Sequence, residues 1–439
     1  MNNQKLSTTK IKDWHICLII YFLALGITLG YALTKTEIIS DKAIEYLLYL
    51  EAVKSGSWHF VTDNIVNSCL MITYIPAIIQ RITHIDATLL FKIYPCFFYS
   101  LMPMFVYLTS RKYLNIWYSL ISAFLILSNF YFLYNSFYTG RVGLAWAFFA
   151  GLIWAVLNQR FVWSLVLSIL IIFSHYGTAY VAIIILGTAW LVSLIIKRKW
   201  NKEYLNFGIV LAVLIAVTLV WHGAIARESG RYTEEFVKSA LTLEPTKPED
   251  ITEKYKQTTS PDQNPVVTTS NGQTSETQSV ITSSTPDTEK SVITQRIGTI
   301  FELEYKESVV QVAFGKTLPY MNIPQKIEFV LSWLIVLLLT GGLLAALLRN
   351  KLSDIHAIMA VTVYGLIVLT VAIPYLSVFY GISRVYFTAM AIIAPCFAMG
   401  TQEVSKLLKI NGYILPAIIL VVYALCVSGI MHSWFGIVK

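Results

Sequence analysis

Residues 141–199 read RVGLAWAFFAGLIWAVLNQRFVWSLVLSILIIFSHYGTAYVAIIILGTAWLVSLIIKRK. Three apolar runs, Val142–Leu157, Phe161–Ser174 and Tyr176–Ile196, follow one another with only Asn158-Gln159-Arg160 and His175 between them. They end on the basic cluster Lys197-Arg198-Lys199. A helix on the surface of a soluble domain keeps a polar face, whereas these runs are apolar all round. Such runs suit helices that cross the roughly 30 Å of hydrocarbon in a bilayer. The turns between them are too short for anything but antiparallel neighbours.

The same pattern recurs on both sides of this stretch. Further runs lie at Ile16–Ala32, Ala87–Leu108, Ile116–Asn129, Leu205–Trp221, Ile327–Leu348, Ile355–Ile373, Val385–Gly400 and Tyr413–Met431, which makes about eleven spans. Of 439 residues, 56% are hydrophobic and 13% charged, about half the charge of an ordinary soluble domain. That composition excludes a soluble enzyme, a nucleic-acid-binding domain and a secreted disulfide scaffold. The expected fold class is an all-α polytopic membrane protein. Three regions follow: an N-terminal transmembrane bundle over 1–222 with a first outer loop at 34–86, an outer segment over 223–325, and C-terminal transmembrane helices over 326–439.

The net charge of +8 is concentrated in alternate loops. Lys5, Lys10 and Lys12 precede the first span and Arg111-Lys112 follow the second. Arg160, then Lys197-Arg198-Lys199 with Lys202, then Arg349 and Lys351, then Lys406 and Lys409 mark later turns. Short loops rich in Lys and Arg stay cytoplasmic. A multi-pass plasma-membrane protein with a cytoplasmic N-terminus is therefore expected, and an odd span count puts the C-terminus outside. The first apolar run lacks a small-residue cleavage site, so no cleaved signal peptide is expected. The basic excess is a topology signal, and no nucleic-acid partner is expected. The five cysteines, Cys17, Cys69, Cys96, Cys396 and Cys426, form no CxxC pair and read as small hydrophobes.

Two long segments fall on the outer side. In the first, Ser40-Asp41 open DKAIEYLLYLEAVKSG, whose apolar spacing and Gly56 stop predict an interfacial helix. A second amphipathic stretch covers about Asn67–Ile82. In the second segment, residues 258–288 are rich in Ser and Thr and are expected to form a disordered linker. Short helices are expected on its flanks, at about Thr233–Leu243 and Val292–Val312.

Ionisable groups in or beside spans are costly and raise a functional hypothesis. Asp41 and Glu45 open the first outer helix one turn apart. Arg141 begins the fourth span, His175 sits in the turn after the fifth, and Arg384 begins the tenth. Lys92 lies about a turn inside the second. All fall on the outer side. An arginine fork suits phosphate oxygens, and a carboxylate can take a proton from a hydroxyl. Together they describe transfer of a group from a phosphorylated lipid to an acceptor. Each also has an ordinary reading. Asp41 makes a helix N-cap, Glu45 lies on the solvated side of an interfacial helix, the arginines anchor at headgroups, and His175 is structural. His59 and His84 are weaker candidates. The loop Tyr131–Arg141 contains no carboxylate, which argues against a divalent metal held between the first two outer loops. No P-loop, HExxH, GxSxG or dinucleotide fingerprint is present.

These residues fall in an order that resembles a known family. Ser40-Asp41, Glu45-Tyr46, Gly56-Ser57-Trp58, Asn67-Ser68, Ile75-Pro76 and Phe91-Lys92-Ile93-Tyr94-Pro95, then Arg141 with Ala145, Ser174-His175-Tyr176, and Arg384-Val385-Tyr386 with Ala394-Pro395 and Gly400 resemble an uncharacterised, mainly archaeal family of multi-span proteins. That family belongs to the GT-C superfamily of membrane glycosyltransferases. The resemblance implies a GT-C-like fold, a first-loop acid acting as base (Asp41, with Glu45 second) and inversion at the anomeric carbon. It also implies a polyprenyl-phosphate-linked sugar as donor and a glycan, lipid or protein acceptor of the cell envelope. Arg141, His175, Tyr176, Arg384, Lys92 and Asn67 become the substrate-binding set. The Trp-Trp-Asp motif of oligosaccharyltransferases is missing, which argues against en bloc transfer to asparagine. Relatives often continue into a large outer domain, whereas this chain ends at Lys439. A transporter or lipid flippase is the rival reading, but transporters place charges near the midplane in paired repeats. A non-catalytic scaffold is the third, and it leaves the outer charges unexplained.

Overall fold

The structure, a computed structural model, describes residues 9–34, 38, 41–58, 65–132, 140–197, 202–226, 318–372 and 382–435. The Ser/Thr-rich linker with its expected flanking helices, His59 and most of the loop 131–141 lie outside the described residues.

The chain folds as helices α1 (Thr9–Thr34), α2 (Asp41–Ser55), α3 (Tyr74–Thr83), α4 (Ala87–Tyr99), α5 (Leu101–Ser110), α6 (Ile116–Leu127), α7 (Gly140–Leu157), α8 (Phe161–Ser174), α9 (Tyr176–Lys197) and α10 (Lys202–Thr218). After residue 317 come α11 (Ile323–Leu348), α12 (Asp354–Ala372), α13 (Ile382–Leu407), α14 (Ile414–Val427) and α15 (Ile430–Trp434). Among the described residues, eight helices are long and apolar enough to cross a membrane, counting α4 and α5 as one. Each falls on a run read from the sequence. The runs at Ile116, Phe161 and Tyr413 form shorter apolar helices of 12, 14 and 14 residues. At 1.5 Å per residue, such helices are about 18 to 21 Å long.

Two helices form the centre. In both α7 and the Arg384–Leu407 part of α13, 89% of the apolar stretch is buried, against 28–33% for α1, α9, α10, α11 and α12. Their sequences explain the difference. Gly143, Ala147, Ala150 and Gly151 on α7, and Ala391, Ala394, Ala398 and Gly400 on α13, let backbones approach closely, while Trp146, Phe149, Phe387 and Phe397 fill the remaining space. Trp146 donates from Nε1 to the Thr388 hydroxyl at 2.9 Å, and its ring lies 4.6 Å from that of Phe387. Both partners sit in the second turn of their helix, so α7 and α13 run parallel and start at the same end of the bundle. The outer helices show the remaining apolar surface outward, including Ile19 and Phe22 on α1, Ile195 on α9, and Leu337 on α11.

The basic loops meet at the opposite end. Arg111 pairs with Asp13 at 2.9 Å, Lys112 donates to the Leu157 carbonyl, and Tyr113 bonds Ser353. The second run is broken after Tyr99. Pro95 lies inside α4, Pro103 is the third residue of α5, and neither supplies an N–H. Ser100 closes the joint by donating to the Cys96 carbonyl at 2.6 Å and meeting Thr28 of α1.

Helices α11 and α13 approach closely enough that two glycines are in backbone contact across them. A Cβ on Gly342 would sit 1.8 Å from the Cys396 carbonyl oxygen, and one on Gly400 would sit 2.0 Å from that of Leu338. Neighbouring Gly341 has nothing within 4 Å. Gly342→Ala is therefore expected to lower stability by about 1–3 kcal/mol through overpacking, while Gly341→Ala leaves it unchanged. Thermal unfolding of both variants in detergent checks this; equal midpoints would contradict it.

Candidate functional site

Helix α2 lies across the start of α7 and against α4, fixed at several points. Tyr46 on α2 bonds Thr88 at 2.7 Å, and the Tyr46 and Tyr49 rings lie 5.1 and 5.3 Å from Phe91 of α4. Arg81 of α3 donates from Nε and Nη2 to the Val53 carbonyl at 3.2 and 2.9 Å, satisfying the end of α2. Gly56, at φ +79°, then turns the chain where a side chain would strike that guanidinium.

The buried face of α2 carries Lys42, Glu45, Leu48, Tyr49 and Ala52, a helical stripe that contains its charges. Leu47 points outward, 60% exposed. Glu45 is not on a solvated side; it is fully buried. Its Oε2 accepts the Gly140 N–H at 3.1 Å, while Oε1 accepts the Arg141 N–H at 3.4 Å and Arg141 Nη1 at 3.0 Å. A carboxylate from one helix thus caps the first turn of another and pairs with its arginine. Burying a charge costs several kcal/mol. An ion pair, two peptide donors and the positive end of α7 offset that cost. Gly140 is required by this approach, because a Cβ there would sit 3.0 Å from Glu45 Oε2 and 2.9 Å from Ile72.

Further polar groups surround the pair. Cys69 lies within electrostatic reach of both Arg141 and Glu45, and burial pushes its thiol up to about 12, which makes it a poor nucleophile. His175 ends α8 and begins α9. Its Nδ1 accepts the Thr178 N–H at 3.2 Å and meets the Thr178 hydroxyl at 3.0 Å, so the imidazole caps α9 from the position where Ser or Asn is usual. Burial holds His175 well below the ordinary histidine range, and the charges of Arg141 and Arg384 and nearby His222 add to this. It is neutral at physiological pH. The Tyr176 ring lies 4.8 Å from His175 and 6.3 Å from His222. His222 sits in a π-helical turn, Leu219–Ile225, that ends the seventh run; such turns recur at functional positions. Next to it, Trp221 donates to the Ser68 carbonyl at 3.0 Å, tying this end of the bundle to the segment between α2 and α3.

Lys42 is fully buried, its ammonium 5.5 Å from the centre of the Phe91 ring. Burial pulls its pKa down to about 8, against the upward influence of Cys96 and Glu45, and Lys92 pulls it down further. Lys92 is half-buried.

The structure thus pairs Arg141 with Glu45, brings Arg141 and Arg384 within electrostatic reach of His175, which packs on Tyr176, and brings Lys92 within reach of Lys42. Asp41 opens α2 one turn before Glu45, and its side chain lies outside the described residues. Asn67 stands apart, although it is only two residues from Cys69. It lines a separate hollow with Leu48, Glu51, Ala52 and Trp58, and its carbonyl accepts Trp58 Nε1 at 3.2 Å. His84 is an exposed helix C-cap at φ +54°, which argues against a site role. Lys42 and His222 were missed from the sequence. The i, i+3 spacing of Lys42 and Glu45 was the available signal for the first; none marked the second. Among the described residues, no group of three His, Cys, Asp or Glu side chains is placed to hold a metal.

No protein-family model matches the chain, and a search of curated proteins finds no match.

Two measurements test this geometry. Glu45→Ala and Arg141→Ala should each cost about 3–5 kcal/mol, because each strands a buried charge. The double variant should cost far less than their sum, so additive costs in the mutant cycle would contradict the pairing. For His175, the folded pKa is below the ordinary value of 6.5. The unfolded chain then binds the proton more readily, and its contribution to stability is lost as pH falls below about 6.5. His175→Asn keeps a capping side chain without the titration, so its stability should fall less on acidification. Parallel pH profiles for the two proteins would rule this out.

Proposed function

We propose that the chain is a GT-C-like membrane glycosyltransferase, which transfers a sugar from a polyprenyl-phosphate donor to an acceptor hydroxyl on the extracytoplasmic face. The observation that carries this reading is a chain of neighbouring cations from four separate segments: Arg141 and Lys42 beside Glu45, Lys92 within electrostatic reach of Lys42, and Arg384 within reach, like Arg141, of His175. Positive charge gathered at helix N-termini on the membrane surface suits a phosphate held in a lipid headgroup. A free cargo crossing the midplane has no such need, which favours the enzyme over the transporter.

In this reading all eleven apolar runs cross the bilayer. The basic loops face the cytoplasm, and the Arg141 end faces outward. Asp41 takes the proton of the acceptor hydroxyl, directly or through Glu45, as that oxygen attacks the anomeric carbon. The bond from this carbon to the phosphate oxygen breaks, with inversion, and the phosphate keeps the electron pair. Arg141 and Arg384, with Lys92, neutralise the charge that develops on it. Neutral His175 and Tyr176 complete the wall on the α9 side. Glu45 already occupies Arg141 and the first N–H groups of α7, so its main part is to hold the two outer-end helices in register. The acceptor is a glycan, lipid or protein.

A turnover assay on purified protein in nanodiscs, with a panel of radiolabelled polyprenyl-phosphate sugars, tests the reading. Label should leave the carrier with the native protein and not with Asp41→Asn. Arg384→Ala should weaken donor use by on the order of tenfold or more, the value of about one lost charge-assisted contact. Release that is absent for every donor, from protein shown to be folded, would favour a transporter or scaffold.

A further inference from the structure

At the other end of the bundle is a second charge cluster, to which the proposed reaction gives no part. Glu403 lies nineteen residues beyond Arg384 along α13, about 28 Å away. Its Oε1 accepts from three cations: Arg349 Nη1 at 2.6 Å, Lys351 Nζ at 3.1 Å and Lys406 Nζ at 3.3 Å. One carboxylate among three cations leaves a net of two positive charges. The side chains of Arg349 and Lys406 are 54% and 57% exposed, so both keep donors facing outward. Arg349 ends α11 and Lys406 lies in the last turn of α13, where each also meets the negative end of a helix dipole.

The apolar surroundings identify the occupant. Leu348 and Leu407, each directly beside one of these cations in sequence, are 83% and 81% exposed, and Leu408 and Ile410 continue the surface. Large apolar side chains exposed next to donors, at the ends of helices long enough to cross a membrane, match an amphiphile with an anionic head and hydrocarbon tails. A free phosphate would have no use for that rim. Basic clusters of this kind at helix ends attract anionic headgroups by about 1 kcal/mol per cation.

We propose that Arg349, Lys351 and Lys406, held together by Glu403, form a binding site for the headgroup of an anionic phospholipid, with Leu348 and Leu407 against its acyl chains. The proposal is independent of the glycosyltransferase reading. Glu403 is the internal counter-ion: it gathers the three cations when the site is empty, and because a bound lipid phosphate takes over that part, its net effect on lipid retention is competition.

Native mass spectrometry of the full chain, released from micelles containing phosphatidylglycerol or phosphatidylcholine, tests it. The parent should retain phosphatidylglycerol in preference to phosphatidylcholine. The variant Arg349→Gln with Lys406→Gln should retain it on the order of tenfold less, and Lys202→Gln, an exposed lysine outside the patch, should match the parent. Glu403→Gln removes the competing anion and should raise phosphatidylglycerol retention. If the double variant does not fold, Glu403→Gln carries the test alone. Retention equal to the parent in the folded double variant would overturn the site. A Glu403→Gln protein that retains less lipid than the parent would also overturn it, because the cluster would then be an internal brace. Displacement of the lipid by equimolar water-soluble glycerophosphate would overturn the part given to the acyl chains.

Discussion

Glu45 carries its charge into a low-dielectric bundle at a place where such a charge can be held, between a guanidinium and the first peptide N–H groups of a helix. The arrangement of this end of the molecule depends on that contact. It fixes the roll of α2, because only one face of the helix can present Glu45 to Gly140. It also sets Lys42 against Phe91 and within reach of Lys92 of α4, and Asp41 opens α2 one turn before Glu45. Glycine at 140 is what lets the carboxylate come so close.

The two most enclosed helices, α7 and α13, run parallel and begin together, each with an arginine in its first turns. Parallel neighbours add their dipoles at one end instead of cancelling them. The resulting potential is positive, and Lys42 and Lys92 strengthen it. One buried carboxylate partly answers this charge in the resting protein. A phosphate bound there would meet donors already oriented, which is how a protein stabilises a leaving group without reorganising at the moment of reaction.

Much of the fold was legible because the bilayer imposes few solutions: an apolar run must become a helix, and basic loops must gather on one side. The runs at Phe161 and Tyr176 begin at the same residues in sequence and in structure. Less legible was the direction of polarity. The reading of α2 as an interfacial helix left Glu45 open between its solvated side and a part in the site. Beside a membrane bundle the pattern inverts, so that Lys42 and Glu45 turn inward and Leu47 outward. His175 was open between a structural and a functional role, and the structure gives it a definite capping duty. The break after Tyr99 needs Pro95, Pro103 and the Ser100–Thr28 contact together; the last joins residues far apart in sequence, so no local pattern records it. The π-helical turn that brings in His222 depends in the same way on Trp221 reaching a distant carbonyl.

The central claim is that the starts of α7 and α13 form a site for a lipid-borne phosphate. A cryo-electron microscopy structure of the full chain in nanodiscs containing a polyprenyl phosphate would test it most directly. The account predicts phosphate density within hydrogen-bonding distance of Arg141 or Arg384, with the lipid chain running down the outside of the bundle. Well-resolved side chains at both arginines, with the Glu45–Arg141 pair unchanged and no density between the two helix starts, would contradict it.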